Sequence, residues 1–239
     1  MSGRRLHTAW LVPATMAAAG AGFATGNMFL FPLFCMAPAY PTMISRLLAG
    51  QRGRAVCAML IWAATLAPTS VMLSLWAPEQ AGRTVLRGEA YAHEMFHWLR
   101  TGEGRESRPA EFLVEHALHL ILFTALSLAT ASLASIYFGT VLLNYMAYYV
   151  ARVIQAANGD FLAGIMAWHP WSLVRVAAFV VLGVVLAEPL LGRISGSSRV
   201  PGQGRGPWLL LVLAGLVVDA LVKAILAPYW RQWLVRLTG

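Results

Sequence analysis

Charged residues are scarce in this chain. They make up 12% of its 239 residues, whereas a soluble domain carries about 25%. Apolar residues make up 59% of the chain, and its mean hydropathy is +0.64. Uncharged runs of about eighteen residues or more recur along it. This combination is typical of an integral membrane protein and excludes an ordinary soluble domain.

Alternation between apolar and polar residues is also missing. A membrane-spanning β-strand shows it over about ten residues, and no such segment occurs here. Because backbone polar groups in lipid must be hydrogen-bonded within the protein, a bundle of helices remains. The expected fold class is therefore all-α, a polytopic helical membrane protein.

Lysine is nearly absent, since Lys223 is the single lysine beside seventeen arginines. The formal net charge of +8 would suggest nucleic acid as a partner of a soluble protein. Here the arginines lie mostly between apolar segments, as membrane topology requires, so we expect the lipid bilayer as a partner and no nucleic acid. The preference for arginine is typical of GC-rich genomes and favours a bacterial inner membrane. Cys35 and Cys57 form no CxxC pair and indicate no redox or metal site.

Apolar segments of spanning length divide the chain into six predicted helices within a single membrane domain, 1–239. They cover about 9–35, 55–76, 112–137, 140–157, 172–191 and 207–229. The first is interpreted as a retained span rather than a cleaved signal peptide, because its apolar stretch continues without a polar cleavage region. Counting arginines on the two sides places the polar segment 79–110 in the cytoplasm.

The polar segment 79–110 contains the first part of a predicted helical hairpin at the membrane interface. A helix is predicted over 88–100, a turn over 101–107, and a second helix from 108 that enters the third span, with Ser107 as N-cap and Pro109 in its first turn. Seven of the ten acidic residues and four of the six histidines lie between Glu79 and His119. Ionisable groups near lipid are costly to retain, so this is where we expect a functional site.

The first hairpin helix contains the motif His93-Glu94-Met95-Phe96-His97. Histidines at i and i+4 project from one helix face and are able to bind one metal ion, with the intervening glutamate beside metal-bound water. A zinc site requires a third ligand. The second hairpin helix offers three candidates, Glu115, His116 and His119.

The motif resembles the active-site helix of zincin-type zinc metallopeptidases, including membrane-bound ones. The resemblance covers these five residues. It implies that His93 and His97 bind zinc and that Glu94 is the catalytic base. It further implies a zinc-dependent hydrolase, most simply a peptidase that cuts a membrane-associated peptide or protein near the bilayer surface.

Three other interpretations remain open. The motif helix is also typical of an amphipathic helix at the lipid interface. The histidines, with His169, form a partial version of the clusters that bind iron or haem. Alternatively, the chain is a transport or assembly subunit, in which Asn144, Tyr148 and Arg152 share one face of the fourth span and bind substrate. Asp219 and Lys223, at i and i+4, are predicted to compensate each other's charge.

Overall fold

The computed structural model describes residues 8–196, 200 and 203–238, and all regular secondary structure in these residues is helical. The predicted all-α fold is confirmed. The α-helices are α1 (Leu11–Ala24), α2 (Leu30–Met36), α3 (Ala39–Leu48), α4 (Arg52–Trp76), α5 (Pro78–Thr84), α6 (Gly88–Thr101), α7 (Pro109–Thr130), α8 (Leu133–Ala156), α9 (Phe161–Ala167), α10 (Pro170–Ser195) and α11 (Gly206–Thr238).

Five helices of the described chain are long and apolar enough to cross a membrane, namely α4, α7, α8, α10 and α11. The first predicted span, 9–35, is not one helix. The chain leaves helical geometry at Gly26, whose φ is +63°, and Asn27 then accepts hydrogen bonds from the backbone N–H groups of Phe29 and Leu30. This side-chain cap starts α2 separately. Gly26 and Asn27 interrupt the apolar segment for only two residues, which is too short a break to register when hydropathy is averaged over a spanning length.

The first two helices pack closely at Gly22. A Cβ atom there would lie 2.7 Å from Cβ of Phe34 and 3.1 Å from the carbonyl oxygen of Phe31. The rings of Phe23 and Phe31 meet edge to face beside it, with centroids 5.8 Å apart. The glycine therefore sets the distance between α1 and α2.

Replacing Gly22 with alanine is expected to destabilise the protein by about 1–3 kcal/mol, because backbone of α2 must move away. Gly20→Ala is the matched control, since a Cβ at Gly20 meets no atom within 4 Å. Thermal unfolding in detergent checks this. Equal midpoints for the two variants would contradict the close contact.

The boundary between α7 and α8 lies earlier than predicted. The helices break at Ala131 and Ser132, whose φ angles are +48° and +67°, instead of at residues 138–139. Ser132 donates to the carbonyl of Gly183 at 2.6 Å. The break therefore rests on a contact with α10, which the sequence around Ser132 does not specify.

The hairpin of α6 and α7 forms at the predicted place. Gly102 ends α6 in left-handed geometry, and Pro109 opens α7. Ser107 is not the N-cap; its hydroxyl accepts from the indole of Trp98 and donates to the carbonyl of Gly102, which fixes the turn. Arg231 of α11 donates to the carbonyls of residues 98, 99 and 100. The end of α11 thereby holds the hairpin against the bundle.

An ion cluster around Glu188 joins α4, α10 and the residues just before α11. Glu188 of α10 is fully buried and forms a bidentate pair with Arg52 at the start of α4, at 2.5 and 2.7 Å. Arg205, just before α11, bonds the same carboxylate at 2.9 Å. Three elements are thus fixed around one buried charge.

Candidate functional site: an amphipathic cleft beneath the hairpin

The HExxH motif lies on α6 with its histidines directed outward. His93 and His97 are exposed, whereas Met95 and Trp98 are buried on the opposite face. Glu94 forms a bidentate pair with Arg105 at 2.6 and 2.5 Å. The predicted catalytic base therefore faces an arginine.

The three predicted third ligands on α7 are engaged elsewhere. Glu115 pairs with Arg105 at 3.1 Å, Nδ1 of His116 lies 3.6 Å from Asp219, and the His119 ring packs on Phe138 at 5.7 Å. Within the described residues, no group of three or more His, Cys, Asp or Glu side chains is arranged to hold a metal ion. The zinc, iron and haem centres therefore stay predictions from the sequence, and no reaction step is derived through one.

The face of α8 that was predicted to bind substrate makes contacts between helices. Asn144 is buried and accepts a hydrogen bond from Ser70 of α4 at 3.0 Å. Tyr148 donates to Glu89 of α6, and Arg152 lies 3.4 Å from the Tyr148 hydroxyl. These side chains hold α4, α6 and α8 together.

Two buried ion pairs lie beneath the hairpin. Lys223 pairs with Glu106 at 2.9 Å, and Arg175 forms a bidentate pair with Asp219 at 2.9 and 3.0 Å. The predicted pairing of Asp219 with Lys223 is therefore replaced by two contacts between different elements. Burial alone would raise the pKa of Glu106, but the charge and hydrogen bond of Lys223 outweigh it and lower that pKa.

These pairs border a cleft lined by residues of α3, α4, α6, α7, α8, α10 and α11, here called the amphipathic cleft. Its cavity volume is about 120 Å³, and the surrounding space free of protein atoms, including the part that opens outward, is about 1160 Å³. Its polar residues lie towards the hairpin and its apolar residues farther along the helices. The polar lining residues are Tyr91, Glu106, Glu115, His116, His119, Tyr145, Ser172, Arg175 and Lys223, and the apolar ones include Met59, Trp62, Phe123, Leu142, Val176 and Phe179.

The order of residues on each helix produces this polarity. Along α7, His116 and His119 come before Phe123, and along α10, Arg175 comes before Phe179 and Val184. Nine residues separate Arg175 from Val184, which is about 13 Å along a helix. A polar end and an apolar wall of that length suit a molecule with a polar head and an apolar chain.

Four polar side chains facing the cleft have no hydrogen-bond partner in the described part of the chain: Tyr91, His119, Tyr145 and Ser172. Tyr91 and Tyr145 are in ring contact, with centroids 4.5 Å apart. Burial raises the pKa of Tyr91 well above its usual value, so its phenol keeps its proton. Polar groups half-buried without partners favour a polar ligand or water between them.

His169 lies behind the cleft, immediately before α10. Its ring stacks on Trp171, with centroids 4.7 Å apart and planes 9° from parallel, and its Nε2 is buried without a partner. Burial lowers the pKa of His169 to about 4, despite the opposing charge of Glu106. The ring is therefore neutral at pH 7.

Comparison of the chain with protein-family models, with curated proteins and with solved structures gives no significant match. The site is therefore interpreted from its own chemistry. Sequence reasoning missed Glu106, Arg175, Tyr91, Tyr145 and Ser172 as site residues. One signal was present: an ionisable residue within an apolar span, such as Arg175, needs a partner of opposite charge from another element.

Proposed function

We propose that the protein binds an amphipathic, lipid-like molecule in the cleft and carries or presents it within the membrane. The observation that supports this is a cleft in which hydrogen-bonding side chains at one end continue into an apolar wall. Ligand pockets are typically apolar with a few convergent polar groups. Of the functions considered from the sequence, this corresponds to the transport or assembly subunit.

The test uses the full chain in phosphatidylcholine nanodiscs. Monoacylglycerol and lysophosphatidic acid, each with a diazirine in its acyl chain, are photo-crosslinked in separate experiments. At least one probe should label cleft residues such as Leu142 and Phe179, and an excess of the same unlabelled lipid should prevent this labelling. Lipid around the protein should label exposed residues such as Leu118, which is 60% exposed, without competition.

A matched pair of variants separates the cleft from the outer surface. Gly139→Leu places a side chain into the cleft beside Phe123 and should abolish the competed labelling. Gly20→Leu adds the same side chain where no atom lies within 4 Å and should leave it unchanged. The proposal would be refuted if both probes labelled only outward-facing residues. It would also be refuted if no competitor reduced the labelling.

The zinc-dependent hydrolase with His93, Glu94 and His97 stays a prediction from the sequence, as does the bacterial inner membrane. If the motif binds zinc, purified protein will contain about one zinc per chain, and a His93→Ala/His97→Ala variant will contain none. Because a third ligand is missing among the described residues and structural and catalytic zinc sites need at least three, we expect no tightly bound zinc. Metal analysis by mass spectrometry decides this.

A further inference from the structure

We infer that the cleft selects lipids whose polar head is uncharged and rich in hydrogen-bonding oxygens, such as a monoacylglycerol, over lipids with an anionic phosphate head. This inference rests on the proposed function and specifies its ligand. It follows from the charges and the unpartnered polar groups at the hairpin end of the cleft.

The charges on the cleft lining balance. Arg175 and Lys223 are positive, and Glu106 and Glu115 are negative. Each cation is already in contact with a carboxylate, Arg175 with Asp219 and Lys223 with Glu106. The carboxylate of Asp219 is 2% exposed, so it has no water to compensate it if its partner turns away.

An anionic head that took Arg175 or Lys223 as its counter-ion would compete with the carboxylate already bound there and tend to displace it. The displaced carboxylate would then be buried without a partner, next to a second negative charge. Burying an unpaired charge is strongly unfavourable. A neutral head avoids this cost, because both ion pairs remain in place.

The unpartnered groups suit a neutral head. The hydroxyls of Tyr91, Tyr145 and Ser172 donate and accept hydrogen bonds, and a neutral His119 ring does both through its two nitrogens. Hydroxyl and ester oxygens of an uncharged glycerol head offer the complementary acceptors and donors. A site built to hydrogen-bond such groups rejects a ligand that leaves them unpaired.

The experiment measures competition for cleft crosslinking in the same nanodiscs. The competitors are unlabelled monoacylglycerol and lysophosphatidic acid with identical acyl chains. Monoacylglycerol is expected to compete at a concentration at least tenfold lower. Equal potency, or stronger competition by lysophosphatidic acid, would overturn the inference while leaving the amphipathic cleft intact. Failure of both lipids to label or compete would overturn the proposed function itself.

Two variants test the assigned groups. Tyr145→Phe should weaken competition by monoacylglycerol about tenfold, whereas Tyr229→Phe, whose ring is 64% exposed outside the cleft, should not. Glu115→Gln removes one negative charge from the lining and should strengthen competition by lysophosphatidic acid severalfold. If Glu115 has a purely structural role, Glu115→Gln will weaken competition by both lipids alike. That result would contradict the electrostatic explanation.

Discussion

Replacing Lys223 with methionine is expected to destabilise the protein by about 3 kcal/mol or more. The lysine is 1% exposed, donates to Glu106 at 2.9 Å and lies over the ring of Phe112 at 4.4 Å. Without it, the carboxylate of Glu106 remains largely buried and loses its nearest counter-ion. Breaking a buried pair from one side typically costs about 3–5 kcal/mol. Chemical unfolding of the variant in mixed micelles measures the loss.

The double variant Lys223→Met/Glu106→Gln distinguishes the ion pair from simple loss of packing. Removing both charges should recover much of the stability, because neither partner is then left charged and buried. Arg236→Met is the control for loss of a cation, since Arg236 lies on the exposed end of α11 and contacts only the Trp233 ring among the described residues. Additive losses in the double variant would contradict direct coupling of Lys223 and Glu106.

Sequence reasoning predicted the helical fold because the bilayer leaves few alternatives. Long apolar runs with few charges specify α4, α10 and α11 by composition, and Pro109 and Gly102 mark helix ends by their backbone chemistry. The prediction of a single helix over the first span, 9–35, was wrong. Gly26 and Asn27 interrupt the apolar residues only briefly, so hydropathy averaged over a spanning length does not register their turn.

The candidate site was predicted less well, because pairing in a bundle is not a property of sequence spacing. Asp219 and Lys223 are neighbours along α11, yet each finds a better partner on another element, Arg175 and Glu106. Two buried charges of opposite sign one helical turn apart can both be satisfied across the bundle. The choice depends on which helices meet, and the sequence of one helix does not contain that information.

The HExxH motif illustrates a related limit. Its i, i+4 spacing correctly predicts that His93 and His97 share one helix face, but not which face is buried. Ala92, Met95, Trp98 and Leu99 are buried, and their apolar stripe turns the histidines outward. Burial of the hydrophobic face therefore decides the orientation of α6, and the polar residues lie on the face that is left exposed.

Lowering the pH from 7 to about 4 is expected to destabilise the protein through His169 by about 3 kcal/mol. The unfolded chain binds a proton on this residue near pH 6.5, whereas burial lowers the folded pKa to about 4. Between these values the unfolded state binds more protons, so the free energy of unfolding falls as the pH falls, by up to about 1.4 kcal/mol per pH unit. Unfolding midpoints in detergent at several pH values measure this slope.

His169→Phe keeps an aromatic ring on Trp171 but has no group to titrate, and Nε2 has no partner that the variant would lose. The variant should therefore lose up to about 1.4 kcal/mol per pH unit of the slope between pH 6.5 and 4.5, while the contributions of the other buried histidines and of carboxylates remain. His93→Phe, at an exposed position, should keep the wild-type slope. If His169→Phe and the wild type show the same slope, the His169 ring does not contribute to it, and this expectation is wrong.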